Sequence, residues 1–262
     1  MKRFRERIIA NALARRAASS GGGVVAFSPT SITGSALWLD GADASTVTGT
    51  TTVTQWRDKS GNGRNLGVGS GTTSYAIDGI TLNNSYMFVT SAVDLTAFTF
   101  FIIAKSNTAT NNQTVFGARP NTSPVFDSTD GFGFYMDYQT ATRFAGQSAR
   151  PQANNSLTTS SPNIFAYTSA PTIISSSING TPGSGASSQD ARTNTAQGFA
   201  IGAEWSGSSY GNIVTTSTIY EVIVYNTALT TPQRQQIEGY LAWKWGLQAS
   251  LPGDHLYKTA AP

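Results

Sequence analysis

The chain has 262 residues and no cysteine, which excludes a disulfide framework, a thiolate metal site and a cysteine nucleophile. Only 12% of the residues are charged, against about 25% in an average soluble domain, and Ser, Thr, Asn and Gly fill the difference. The net charge of +3 is local: the first sixteen residues carry six basic groups against Glu6, so the body is nearly neutral and speaks against nucleic acid as a partner.

Residues 2 to 18 are rich in Ala, Leu and Arg, with no Gly or Pro, and read as a helix. Phe4, Ile8 and Ala12, with Ile9 and Leu13 alongside, leave a narrow apolar stripe. A lone helix of this length is marginal in water, so it needs a partner surface. Arg3, Phe4, Arg7, Ile8, Arg15 and Arg16 are the residues expected to anchor it. Asn11 and Arg15-Arg16 interrupt the apolar run, against a secretory leader. A frayed tail and a targeting segment remain the other readings of this arm. Ser19-Ser20-Gly21-Gly22-Gly23 is a flexible hinge, dividing residues 1–23 from a body over 24–262. No stretch approaches the roughly 20 apolar residues of a membrane span.

The body opens with two apolar runs, Leu37-Trp38-Leu39-Asp40 and Val53 to Trp56, that lead into a turn at Gly61-Asn62-Gly63. Asp58-x-Ser60-x-Asn62-Gly63 sets side-chain oxygens at alternate positions before a glycine, as a calcium loop does. The twelfth position, where such a loop needs a bidentate acid, is Gly69. Calcium would therefore need Asp58 and Asn62 to share a remote acid, Glu221 or Asp43. Glu221 is the lone charge in the run from Ile219 to Tyr225, and a buried carboxylate must be paired or coordinated. Arg57 or Lys59 is the ion-pair partner expected in the plainer reading. No cofactor is required by this pattern.

Short strands punctuated by Gly, Asn, Ser and Pro follow, with no helix between them, which indicates a sandwich or jelly roll. Phe98 to Ala104 is apolar on both faces and should be central and covered. Strands are expected over 114–117, 131–136, 163–168, 172–178, 199–203 and 219–225, with a hairpin turn at Asn179-Gly180. Thr230 or Thr231 caps a closing helix that Pro232 enters and Gly246 stops. Ile237, Leu241 and Trp245, with Tyr240 on the same face, must pack this helix on the body. Trp38, Trp56, Trp243 and Trp245 are assigned to the core.

LWLDGAD (37–43), WRDKSGNG (56–63), Ile178-Asn179-Gly180-Thr181, FAIGAE (199–204), YEVIVYNTALT (220–230), QQIEGYLAWKWGL (235–247) and LPGDHLY (251–257) occur in an order that resembles the concanavalin A-like lectin/glucanase superfamily, in its laminin-G-like branch. The resemblance covers roughly residues 35 to 260, and its closing pieces are similar to a subgroup found in phage and environmental bacterial proteins. It implies an all-β, concanavalin A-like jelly-roll β-sandwich of two antiparallel sheets, to which the residues add an N-terminal helical arm and a C-terminal helix packed on the sandwich. Some members bind glycans or calcium, and a minority are glycosidases.

Glycoside hydrolysis normally needs two carboxyl groups about 5 to 9.5 Å apart. The Glu-x-Asp-x-x-Glu strand of the glucanase branch has no match here; Asp127, Asp130 and Asp137 come nearest. The only histidine, His255, lies in the tail and reads as a packing or surface residue. The chain is therefore expected not to be an enzyme. For glycans, Trp205, Tyr210 and Asn212 combine rings and an amide after a strand, and Tyr135 and Tyr138 form a second set. A partly buried plug is the plainer reading of Trp205.

These residues lead to the expectation of a non-enzymatic virion surface protein of a tailed phage, of the head-decoration or fibre type. Its arm would bind capsid or tail proteins, and its lectin-like domain would face cell-surface glycans from the virion surface. The alternative is a secreted or surface-displayed bacterial carbohydrate-binding module, extracellular or on the bacterial cell surface, with calcium; a glycosidase comes third. The arm could also assemble a homo-oligomer.

Overall fold

The computed structural model describes residues 27–76, 79–108, 113–119, 132–137, 141–145, 152–153, 161–170, 173–183, 195–206, 209–211, 213–214 and 216–262. The arm and hinge, with Arg3, Phe4, Arg7, Ile8, Arg15 and Arg16, lie outside them. The described strands are β1 (Ser35–Asp40), β2 (Val47–Thr48), β3 (Gln55–Trp56), β4 (Leu66–Ala76), β5 (Gly79–Val89), β6 (Val93–Asp94), β7 (Phe98–Ser106), β8 (Gln113–Arg119), β9 (Phe132–Asp137), β10 (Ala141–Ala145), β11 (Gln152–Ala153), β12 (Asn163–Ala170), β13 (Ile173–Ile178), β14 (Thr181–Pro182), β15 (Thr195–Ala196), β16 (Gly198–Ile201), β17 (Glu204–Ser206), β18 (Ser209–Gly211) and β19 (Thr216–Tyr225). One helix, α1 (Thr231–Trp245), follows them. No helix among the described residues is long and apolar enough to cross a membrane.

All the described pairings are antiparallel. The main sheet runs β11-β10-β9-β8-β16-β5-β19-β7-β12-β13-β14, with β1 on β19 and β4 on β5. Strands far apart in this order touch through their rings. Phe100 of β7 meets Phe116 of β8 at 5.2 Å and Phe134 of β9 at 5.4 Å, and Phe134 meets Phe165 of β12 at 5.4 Å. The sheet therefore folds over until β8 and β9 face β7 and β12 across a core.

β7 is buried along its whole length, because the pleat sends alternate residues to two different cores. Phe98, Phe100, Ile102 and Ala104 join the core between the sheet halves. Phe101 and Ile103 join a second core under the helix, with Ile223 and Tyr225 of β19 and Ile237, Tyr240, Leu241 and Trp245 of α1. The central, covered strand read from the sequence is thus explained: the helix seals its outer face.

Helix α1 starts and stops where its residues dictate. The Thr230 hydroxyl and the Gln233 side chain cap one another's backbone N–H groups, and Gly246 ends the helix at φ 70°, in the left-handed region. Asn179 and Gly180, at φ 52° and 78°, turn β13 into β14 as an Asn-Gly hairpin does. Two expectations are corrected. The longest strand pair, β4 with β5, is absent from the strands read off the sequence, because LGVGSGTTSYA lacks the apolar alternation that marks a strand. Trp38 and Trp243 are half-buried, whereas Trp56 and Trp245 lie in the core.

Candidate functional site

The turn after β3 is organised by Asp58. Its carboxylate accepts hydrogen bonds from the backbone N–H of Trp38 (2.9 Å), Ser60 (2.8 Å) and Arg64 (3.0 Å), and from the Ser60 hydroxyl (2.8 Å). Asn62 donates through Nδ2 to the Ser35 carbonyl (2.9 Å) and to Ser60 Oγ (2.8 Å), tying the turn to β1. Asp43 accepts from Ser45 and from Lys59 Nζ (2.8 Å). The calcium-like spacing is thus occupied with holding the corner. Among the described residues, no group of three or more His, Cys, Asp or Glu stands where it could hold a metal ion.

Trp38 links that corner to Glu221. Its indole N–H and the Tyr240 hydroxyl donate to Glu221 Oε1 at 2.8 Å and 3.1 Å, and Trp245 Nε1 donates to Oε2 at 2.6 Å. Lys244 Nζ lies 2.8 Å away. The ion-pair partner is therefore Lys244 of α1, not Arg57 or Lys59. Arg57 donates to the Ser45 carbonyl, and Lys59 bridges Asp40 (2.9 Å) and Asp43. Sequence distance hid Lys244, because only the docking of α1 brings it to β19. Burial pushes the Glu221 carboxyl up from its ordinary value, and Asp40 nearby adds to the rise against the pull of Lys244. This cluster holds β1, β19 and α1 together.

His255 belongs to a similar clamp. Its Nδ1 accepts from the Tyr257 backbone N–H at 3.2 Å, so Nε2 carries the proton and faces Glu238 at 3.3 Å. Glu238 also takes the Ser177 hydroxyl and Arg234 Nη1, each at 2.6 Å. A serine nucleophile needs its hydroxyl on the imidazole; here both groups bind the carboxylate between them. The cluster pins α1 to β13 and to the tail.

The outer face of β5, β16 and β8 is different. Met87 of β5 and Phe199 and Ile201 of β16 point into the core, so Tyr86, Phe88 and Ala200 point outward. The β17–β18 hairpin lies over this face and pairs Trp205 with Tyr210 in register. Tyr210 stands 4.9 Å from Tyr86, 5.3 Å from Phe88 and 5.2 Å from Trp205, centroid to centroid. The Arg119 guanidinium, at the end of β8, sits 4.1 Å over the Trp205 ring. All five side chains are half-buried. Tyr86 reaches across β4 at Gly69, where a Cβ would overlap its ring.

Two polar groups here lack partners among the described residues. The Tyr210 hydroxyl is buried and makes no hydrogen bond. The Arg119 side chain makes no hydrogen bond or ion pair, only its contact with Trp205. Burial pushes the Tyr210 phenol up to about 12, against the pull of Arg119, so it keeps its proton.

The structure thus brings together Trp205 and Tyr210 of the expected glycan set and adds Tyr86, Phe88 and Arg119. Asn212 and Tyr138 lie outside the described residues; Tyr135 sits on β9 opposite Thr114, its side chain undescribed. The spacing Tyr86-x-Phe88 was a readable sign, since it puts two rings on one face of a strand. Arg119 gave none.

No protein-family model matches the chain, and no curated protein does. Solved structures do. A sialidase of Trypanosoma rangeli, in complex with a difluoro-KDN ligand, is similar at TM-score 0.57 and 15% identity, covering 77% of this chain and 32% of that one. The chain therefore spans about a third of the sialidase. Domain 4 of AbnA, a GH43 extracellular arabinanase of Geobacillus stearothermophilus in complex with arabinotriose, is similar at TM-score 0.56 and 17% identity, over 76% of this chain and 95% of that one. The binding domain of botulinum neurotoxin serotype D/C is similar at TM-score 0.55 and 13% identity, over 82% and 53%. At such identities the likeness is one of fold. It overturns the expectation of a non-enzymatic tailed-phage virion protein with capsid or tail partners: the fold is shared with two glycosidases and a toxin, none of them a virion component.

Proposed function

We propose that this chain is a carbohydrate-binding domain of the concanavalin A-like jelly-roll type, which takes a saccharide against Tyr86, Phe88, Trp205 and Tyr210. The observation that carries this reading is the ring cluster itself, contiguous and half-buried on the outer face that the helix leaves uncovered. Rings of this kind stack on the C–H faces of sugars, while a guanidinium at their edge meets sugar oxygens. The polar groups described around them, a guanidinium and phenols, suit holding a saccharide, and the role proposed is binding. A location at or beyond the cell surface is part of the same proposal.

A glycan array probed with the purified chain, followed by calorimetry on the best ligand, tests this. Tyr86→Ala and Trp205→Ala should each weaken binding about tenfold or more, in line with the loss of a central aromatic contact, with the melting temperature little changed. Gly69→Ala should weaken it too, by pushing the Tyr86 ring off β4. Binding should survive a chelator, because the Asp58 and Glu221 oxygens are already engaged. Absence of binding to every saccharide would overturn the proposal.

A further inference from the structure

We propose that Arg119 makes the ring face selective for saccharides that carry a carboxylate, holding it through two parallel N–H donors while the neighbouring rings take the sugar's apolar face. This rests on the carbohydrate reading above. The Arg119 guanidinium carbon lies 4.1 Å from the Trp205 ring centroid, a cation–π contact that anchors the side chain and its N–H donors over the ring. Those donors have no acceptor among the described residues. A planar fork of this kind matches a carboxylate in a two-point bond and gains specificity from the geometry as well as the charge.

The surroundings point the same way. Glu204, adjacent to Trp205 in sequence, faces the opposite side of the β17 strand and is only 4% exposed. The Arg119 charge therefore stands at this face without an ion pair among the described residues. A neutral sugar would satisfy the rings and leave that charge without a partner.

Matched probes decide the matter: 3′-sialyllactose against lactose, and trigalacturonate against its methyl ester, titrated calorimetrically into the full chain at moderate salt. At least one acid should bind about tenfold or more tightly than its neutral partner, the range of a charge-assisted hydrogen bond. Arg119→Gln should lower that acid's affinity to the level of the neutral sugar. Arg119→Lys, which keeps the charge and loses the fork, should forfeit most of the difference. Melting curves of both variants check that they fold. Equal binding of acid and neutral partners would overturn this inference and leave the carbohydrate reading standing. Tighter binding of a sulfated lactose than of either acid would also overturn it, as charge alone would then select. No binding of any of these probes would overturn this inference, while the carbohydrate reading stands or falls with the glycan array.

Discussion

Asp40 shows how one residue's environment sets its behaviour. Burial works to raise its pKa, but Lys244 at 2.5 Å and Lys59 at 2.9 Å hold it below the ordinary 3.8. For Lys59 burial acts downward, and Asp40 with Asp43 lifts it above the ordinary 10.5. The signs follow. A lowered carboxyl stabilises the fold above its unfolded-state value and loses that contribution as pH falls through its folded-state value. A raised lysine contributes fully below 10.5 and loses the contribution as pH climbs past its folded-state value. Lys59→Met should therefore lower stability by about 1–2 kcal/mol at neutral pH, the exposed part of its side chain weakening the ion pairs. The gap between variant and parent should close above pH 10.5. Melting temperatures from pH 6 to 12 measure both; a gap that stays constant to pH 12 would show that the ion pairs are not its source. The lone charge at Glu221 was legible from the strand around it. Its partner was not, because Lys244 reaches it only through tertiary docking.

The elements divide by how local their causes are. Helix α1 was readable at both ends because capping is decided within a few residues, by Thr230, Gln233 and Gly246. Thr230→Ala removes the N-cap hydroxyl and should cost about 1 kcal/mol, read as a lower urea midpoint with unchanged slope. β7 was readable for the same reason, its run of apolar residues being continuous. β4 was not. Its conformation comes from pairing with β5, whose residues supply the apolar face that β4 lacks. The ring face is likewise half legible: Trp205 and Tyr210 are neighbours in sequence, whereas Arg119 and Tyr86 arrive from other strands.

For the whole molecule, β7 and β19 decide the cooperativity. Each presents one face to the core between the sheet halves and the other to the core under α1. Neither core can be dismantled while the other keeps its strands. Despite its length, the described body should therefore unfold in one transition, with tryptophan fluorescence and near-ultraviolet circular dichroism giving the same midpoint. Two separated midpoints would show that the cores are independent. The arrangement also gives the molecule a back and a front. Phe27 packs edge-on against Tyr240 of α1 at 5.7 Å, and Tyr257 of the tail lies on Gly239 of the same helix. Phe27 and Tyr257 thus lie on the helix side, while the rings of Tyr86, Phe88, Trp205 and Tyr210 look the other way. A surface approached from the front is met by these rings before it can reach the helix.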